Sequence, residues 1–226
     1  MVAKAISCNV MAAEMRDLLP ANADVEIFDI SLHTRPNKLR DTLQDAVSRA
    51  DGLYDPVFLG YGLCSQATVG LVAKQSHLVL FKTDDCIGVF LGSKQEQRQR
   101  ALNEPGAYFL SRGWIGDDTG SLFDEYLRVK TKRGEEKARK LMKKMLGHYD
   151  RIAHIIMPSA PDPEGDRAYA RAMAASFELD YVEIAGTSEL IRQMVKGQTN
   201  RDVLVVPPGC PITLEMMMQE EEKDND

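Results

Sequence analysis

The chain lacks long apolar runs. Its longest, at 152–157 and 203–206, fall far short of the roughly 20 residues that cross a bilayer. The amino terminus leads into a strand-like run and has no apolar signal-peptide core. We therefore expect no membrane segment and a cytoplasmic location. Aromatic residues make up only 7% of the chain, but 44% hydrophobic and 27% charged residues exclude a disordered, collagenous or coiled-coil protein.

Common nucleotide-binding and hydrolase motifs are also missing. The sequence has no Walker-type phosphate loop, no Gly-x-Gly-x-x-Gly after the first strand and no Gly-x-Ser-x-Gly. Residues 130–144 are rich in lysine and arginine, but they carry no interleaved aromatic residues, and the whole chain has a net charge of −6. A solvated helix face explains this stretch better than a nucleic-acid surface does.

Cysteine is scarce and irregularly spaced. The four cysteines, Cys8, Cys64, Cys86 and Cys210, are separated by 56, 22 and 124 residues, which does not resemble a disulfide-rich miniprotein. In a cytosolic chain disulfides rarely persist, so these are either inert buried thiols or thiolates that bind metal or react.

Helical and strand-like segments alternate along the chain. Continuously apolar runs such as Leu78-Val79-Leu80, in a strand predicted over 77–81, imply coverage on both faces, so we expect an α/β fold of about eight strands in a parallel or mostly parallel sheet with helices on both faces. The simplest organisation is a single α/β domain over 1–226. A subdivision near 111–120, giving two half-domains around a cleft, stays open. The acidic tail 220–226 is expected to be flexible.

Three expectations concern helix ends. Asn9 is predicted to cap a helix over 11–19, and Ser65 to cap a helix that runs through Ala73. Pro211 is predicted to open the last helix, because proline is favoured at the first helical position.

All four cysteines fall in predicted strand-to-helix turns. The carboxyl ends of parallel strands line the ligand crevice of an open α/β sheet, so wide sequence gaps are no objection to a shared site. A thiol at a helix start also experiences partial positive charge, which favours the thiolate that binds metal. The alternative for each cysteine is a small buried hydrophobe.

Sulfur ligands point to an iron–sulfur cluster, most simply of the 4Fe–4S type, or to zinc. Three cysteine ligands would leave one iron open to a substrate, whereas four would close the cluster, so Cys210 decides between these cases. The sequence context of the histidines does not indicate that any of them is a metal ligand.

Other residues near the expected sheet edge could take part in catalysis or in cofactor binding. We expect Tyr61 and Asp84 to act as acid or base, and Gly62, Asp85 and Trp114 to line the cofactor site. The alternatives are structural: aspartates before a helix are often caps, and the single tryptophan could anchor its loop.

Several segments resemble one uncharacterised family. Ile6-Ser7-Cys8, Tyr61-Gly62-Leu63-Cys64, Asp85-Cys86-Ile87 with Leu91-Gly92-Ser93, and 105–110 with Gly113-Trp114 are similar to the domain-of-unknown-function family numbered 1638, found in methanogenic archaea and anaerobic bacteria. The resemblance implies a three-thiolate site at Cys8, Cys64 and Cys86, with Cys210 less securely included. It also implies a setting near corrinoid-dependent methyltransferases.

Three hypotheses follow. The first is a cytoplasmic iron–sulfur protein that binds a small molecule at an open cluster site in anaerobic one-carbon or sulfur metabolism. The second is a zinc-thiolate methyl-transfer protein. The third is a non-enzymatic accessory protein that binds a corrinoid protein or methyltransferase through its basic helix and acidic tail. We expect no nucleic-acid or membrane partner.

Overall fold

A computed structural model of the chain describes residues 2–115 and 121–219. The described part contains eight strands: β1 (Lys4–Cys8), β2 (Asp24–Phe28), β3 (Val57–Gly60), β4 (Leu78–Phe81), β5 (Ala107–Ser111), β6 (Arg151–Ile156), β7 (Asp180–Ala185) and β8 (Val203–Val206). Its α-helices are α1 (Asn9–Met15), α2 (Pro36–Ala50), α3 (Cys86–Leu91), α4 (Lys94–Asn103), α5 (Leu122–Arg133), α6 (Glu135–Met145), α7 (Pro163–Phe177), α8 (Glu189–Val195) and α9 (Leu214–Met218). The prediction of a mostly parallel α/β fold is confirmed.

The chain divides into two compact units. The first comprises 1–95 and 187–226, and the second comprises 96–186. The segment 111–120, where the sequence allowed a subdivision, begins inside the second unit at the end of β5. Residues 116–120 and the acidic tail 220–226 lie outside the described residues, so the prediction of a flexible tail stays a prediction.

The first unit is built on a five-stranded sheet. The strand order is β2-β1-β3-β4-β8; the first four strands are parallel, and β8 runs antiparallel to β4. The central strands β3 and β4 are buried along their whole length, in agreement with their continuously apolar sequences. The sequence pattern explains why helix α2 forms here. Pro36 occupies its first turn, and Leu39, Leu43 and Val47 recur on one face and are fully buried.

The second unit has a three-stranded, all-parallel sheet in the order β5-β6-β7. Its core gathers apolar side chains from the sheet and three helices: Leu110, Phe123, Tyr126, Ala138, Met142, Leu146, Ile152, Ala170, Met173 and Ala174. Helices α5 and α6 are separated at Gly134, whose φ of +86° ends α5 and turns the chain into a helical hairpin.

Three predicted helix ends are wrong. Cys8, not Asn9, is the N-cap residue of α1, and the Asn9 side chain instead accepts a hydrogen bond of 3.0 Å from the Ile30 backbone N–H. No helix follows Ser65, because the chain there turns through left-handed conformations. Pro211 lies before α9 in irregular backbone, and Thr213 caps that helix.

Among the described residues, no helix is both long and apolar enough to cross a membrane.

Candidate functional site

Three of the four cysteines follow neighbouring parallel strands of the first unit. Cys8 is the last residue of β1, Cys64 follows β3 and Cys86 follows β4 as the first residue of α3. Strands β1, β3 and β4 are adjacent in the sheet and point the same way. All three thiols therefore follow the same, carboxyl-terminal edge of the sheet, as the sequence predicted.

Cys210 departs from this arrangement. It follows β8, and Val206 at the end of that strand pairs with Leu78 at the start of β4. The antiparallel direction of β8 thus delivers Cys210 from the opposite edge of the sheet. The backbone N–H of Gly209 donates to the Ala73 carbonyl at 2.7 Å, which holds this segment against the loop before β4. The expectation that Cys210 lies at the same sheet edge as the other three cysteines is wrong.

The loop that carries Cys64 has an unusual backbone. Cys64, Ser65 and Gln66 have φ angles of +45°, +56° and +65°, a left-handed region that costs non-glycine residues roughly 1–2 kcal/mol each. Hydrogen bonds hold the loop in place: Leu63 N–H donates to Thr83 O at 2.8 Å, and Cys64 N–H donates to Asp84 O at 2.9 Å. Because such strain concentrates at functional sites, the loop marks this edge as a candidate site.

Gly62 allows the two cysteine loops to approach each other. A Cβ atom at this position would lie 2.5 Å from the Thr83 carbonyl oxygen and 2.7 Å from Thr83 Oγ1. The backbone of the Cys64 loop therefore packs directly against the strand end that leads to Cys86. This is a structural reason for glycine here, beside the predicted cofactor contact, which stays a prediction.

Burial raises the pKa of all three thiols at this edge. The Cys8 thiolate charge further raises the pKa of Cys64, and the charges of Cys8 and Cys64 further raise that of Cys86. The Asp85 carboxylate adds to the increase for Cys64 and Cys86. In the metal-free chain these sulfurs are therefore protonated near neutral pH, and only a cation would hold them together as thiolates.

Tyr61 lies next to these thiols with an unsatisfied hydroxyl group. Its side chain is 2% exposed, and its Oη atom has no hydrogen-bond partner among the described residues. Burial, followed by the charges of Cys8 and Cys64, raises its pKa. A buried unpaired hydroxyl costs about 1–3 kcal/mol, so this group is expected to have a partner that is not part of the described protein.

His33 also belongs to the site, although the sequence gave no signal for it. Its ring stacks on Tyr61 with centroids 5.8 Å apart. Its Nδ1 lies 3.1 Å from the Ile30 carbonyl oxygen and must carry the hydrogen in that bond, which leaves a lone pair on Nε2. Burial lowers the His33 pKa, while the Asp85 carboxylate opposes that shift.

The two aspartates have different surroundings. Asp85 is the N-cap of α3 and accepts a hydrogen bond of 2.8 Å from the Ile87 N–H, as the structural alternative supposed. The Asp84 carboxylate lies 3.4 Å from Lys94 Nζ. Its role as acid or base stays a prediction.

Trp114 lies in the second unit. It forms the end of a short 3₁₀ turn, Arg112–Trp114, and packs against the core of that unit. This matches the loop-anchor alternative for the residue. Its expected place beside the cofactor stays a prediction.

The side chains at this sheet edge include suitable metal ligands, but they are not arranged around a metal position. Within residues 2–115 and 121–219, no group of three or more Cys, His, Asp or Glu side chains is arranged to hold a metal ion. The thiols and Nε2 of His33 are nevertheless suitable donors, and the unpaired Tyr61 hydroxyl indicates a further polar group.

Comparisons with known proteins identify a family. The family model described as "Protein of unknown function (DUF1638)" matches residues 27–195, a range that includes Cys64 and Cys86 but neither Cys8 nor Cys210. No curated protein matches the chain. A solved structure titled "Crystal structure of a small-chain dehydrogenase" is similar at 10% identity, covering 82% of this chain and 97% of that chain. Its TM-score of 0.22 is too low to indicate a shared fold. Since the family match spans most of its length, the chain belongs to the family DUF1638.

Proposed function

We propose that the chain is a metal-thiolate protein in which Cys8, Cys64 and Cys86 hold an iron–sulfur cluster of the 4Fe–4S type. The observation that carries the proposal is that three cysteines follow neighbouring parallel strands at one sheet edge, beside a buried hydroxyl with no hydrogen-bond partner among the described residues. Because burial raises the pKa of all three thiols, they do not form thiolates readily. A bound cation removes this cost.

The exclusion of Cys210 favours an open cluster over a closed one. Three cysteines satisfy three irons of a cubane, and the fourth iron would then supply Lewis acidity to a small molecule. A small molecule of anaerobic one-carbon or sulfur metabolism, with an oxygen or sulfur donor atom, is the class of ligand that we propose.

The surrounding side chains have separate parts in this proposal. Tyr61 Oη would donate its hydrogen bond to the bound molecule or to the cluster, and this would satisfy a hydroxyl that has no partner among the described residues. His33 Nε2 would accept a proton from the bound molecule, because the Ile30 carbonyl holds the hydrogen on Nδ1. Asp85 holds the start of α3, and with it Cys86, in position.

Anaerobic purification followed by iron, zinc and acid-labile sulfide analysis tests this proposal. About four irons and four sulfides per chain, with a broad visible absorption lost in air, would support it. Zinc without sulfide would support instead the zinc-thiolate hypothesis, which uses the same three sulfurs. A metal-free protein after reconstitution with iron and sulfide would rule out both.

A further inference from the structure

The helical hairpin of the second unit carries a groove far richer in positive charge than the rest of the molecule. The groove has a volume of about 530 Å³ and lies between α5 and α6. Its lining consists of Glu125, Arg128, Val129, Lys132, Arg133, Lys137, Lys140 and Leu141. Five of these eight residues are cationic, in a chain whose net charge is −6.

Helical spacing places these side chains on one face of each helix. In α5 the lining positions 125, 128, 129, 132 and 133 recur at intervals of three and four, and in α6 positions 137, 140 and 141 do the same. The core of the unit uses mainly other positions, including Tyr126, Ala138 and Met142, and of the lining residues Val129 also packs against it. The charged lining residues therefore form a second face of the hairpin that takes no part in this core cluster.

Part of the charge is already neutralised within the hairpin, and part is not. Glu125 accepts two hydrogen bonds from Arg128, at 2.7 and 2.6 Å, and Glu136 accepts one from Lys140 at 2.8 Å. Among the described residues, no carboxylate pairs with Lys132, Arg133 or Lys137. Three cations in the middle of the groove are thus left for an external anion.

The groove also has an apolar component. Leu141 in the lining is 38% exposed, and Val129 beside it is half-buried. Met145, one turn after Leu141 on α6, is 46% exposed. Large exposed apolar side chains beside unpaired cations are typical of a protein-binding surface.

We propose that this groove binds an acidic amphipathic helix of a partner protein. A third helix laid between two antiparallel helices completes a bundle, burying its apolar stripe on Val129 and Leu141. Acidic side chains along its edges meet Lys132, Arg133 and Lys137. At 1.5 Å per residue the groove, bounded by helices of 12 and 11 residues, accommodates about three turns of such a helix.

A nucleic acid fits these observations less well. Its phosphates would use the cations, but the apolar side chains would gain nothing from them, and the groove lining has no aromatic residue on which a base could stack. A net negative charge over the whole chain further opposes the approach of a long polyanion. The proposal concerns the second unit alone and does not depend on the thiol site.

The test uses the full chain and a synthetic helical peptide of about three turns with a leucine stripe flanked by glutamates. A peptide of the same composition in scrambled order, a short DNA duplex and anionic lipid vesicles serve as competing probes. The variant Lys132→Glu/Arg133→Glu/Lys137→Glu removes the unpaired cations. The variant Lys38→Glu/Lys74→Glu/Lys196→Glu makes the same change in net charge at exposed positions of the first unit.

We expect the patterned peptide to bind at least about tenfold more tightly than the scrambled one, and the groove variant to lose at least about tenfold in affinity, while the control variant keeps most of it. Circular dichroism checks that both variants stay folded. Equal binding of the two peptides, equal loss in both variants, or no peptide binding would overturn the proposal. Tighter binding of DNA or vesicles, lost in the groove variant, would overturn it in favour of that partner.

Discussion

The rings of His33 and Tyr61 stack with centroids 5.8 Å apart and with planes inclined by 23°. This pair joins the 3₁₀ segment after β2 to the loop after β3. It places the His33 imidazole, and a hydroxyl with no partner among the described residues, at the sheet edge that the three cysteines follow. These two residues are the source of the first prediction.

Replacement of Tyr61 by phenylalanine removes a buried hydroxyl that has no hydrogen-bond partner in the described protein. In the metal-free chain we expect Tyr61→Phe to raise the free energy of unfolding by about 1 kcal/mol, because the cost of an unsatisfied polar group disappears. Denaturant unfolding of both proteins measures this difference. In iron-loaded protein the gain should vanish, since there the hydroxyl has a partner; a loss of stability in the metal-free variant would contradict the account.

The left-handed backbone at Gln66 gives a second prediction. Glycine tolerates a φ of +65°, whereas a β-branched side chain does not. We expect Gln66→Gly to be more stable than Gln66→Val by at least about 1 kcal/mol, measured by thermal or denaturant unfolding. Both variants keep the backbone carbonyl that accepts a hydrogen bond from Arg40, so this bond is the same in the pair. Equal stability would mean that the loop is not held in this conformation.

His154 predicts how the stability of the second unit depends on pH. Its side chain is 1% exposed, and Nδ1 lies 3.1 Å from the Tyr181 hydroxyl. Burial lowers its pKa, the neighbouring Glu183 opposes that shift and Arg167 reinforces it. Because the folded state disfavours the proton, stability is complete above the unfolded pKa of about 6.5 and declines as the pH falls towards the lower folded pKa.

The variant His154→Gln keeps a polar side chain that can bond to Tyr181 but does not titrate. We expect it to lose about 1 kcal/mol less stability than the wild type between about pH 7.5 and about pH 5. Unfolding curves of both proteins at the two pH values measure the difference. Parallel losses would show that His154 makes no contribution to acid sensitivity.

Much of the fold could be predicted from the sequence because its signals are local. The apolar run Leu78-Val79-Leu80 lies in β4, as its pattern predicts, and the buried Leu39, Leu43 and Val47 of α2 recur at helical spacing. The error at Ser65 has a tertiary cause: hydrogen bonds from Leu63 and Cys64 to the Thr83 and Asp84 carbonyls hold the chain in a turn where the local sequence favours a helix. These contacts join residues about twenty positions apart, which no local pattern reveals.

The candidate site was predictable only in part for the same reason. The positions of Cys8, Cys64 and Cys86 follow from the rule for parallel strands. The direction of the last strand cannot be read from Val203–Val206, so the sequence predicts the wrong sheet edge for Cys210. His33 carries no motif, and only the packing of its ring on Tyr61 reveals it.

Iron and sulfide content after anaerobic purification is the most direct test of the thiol site, with Cys64→Ser and Cys210→Ser as a matched pair. The account predicts about four irons and four sulfides in the wild type and in Cys210→Ser, and a loss of most of both in Cys64→Ser. Iron-free wild type after reconstitution, or equal loss in the two variants, would contradict it.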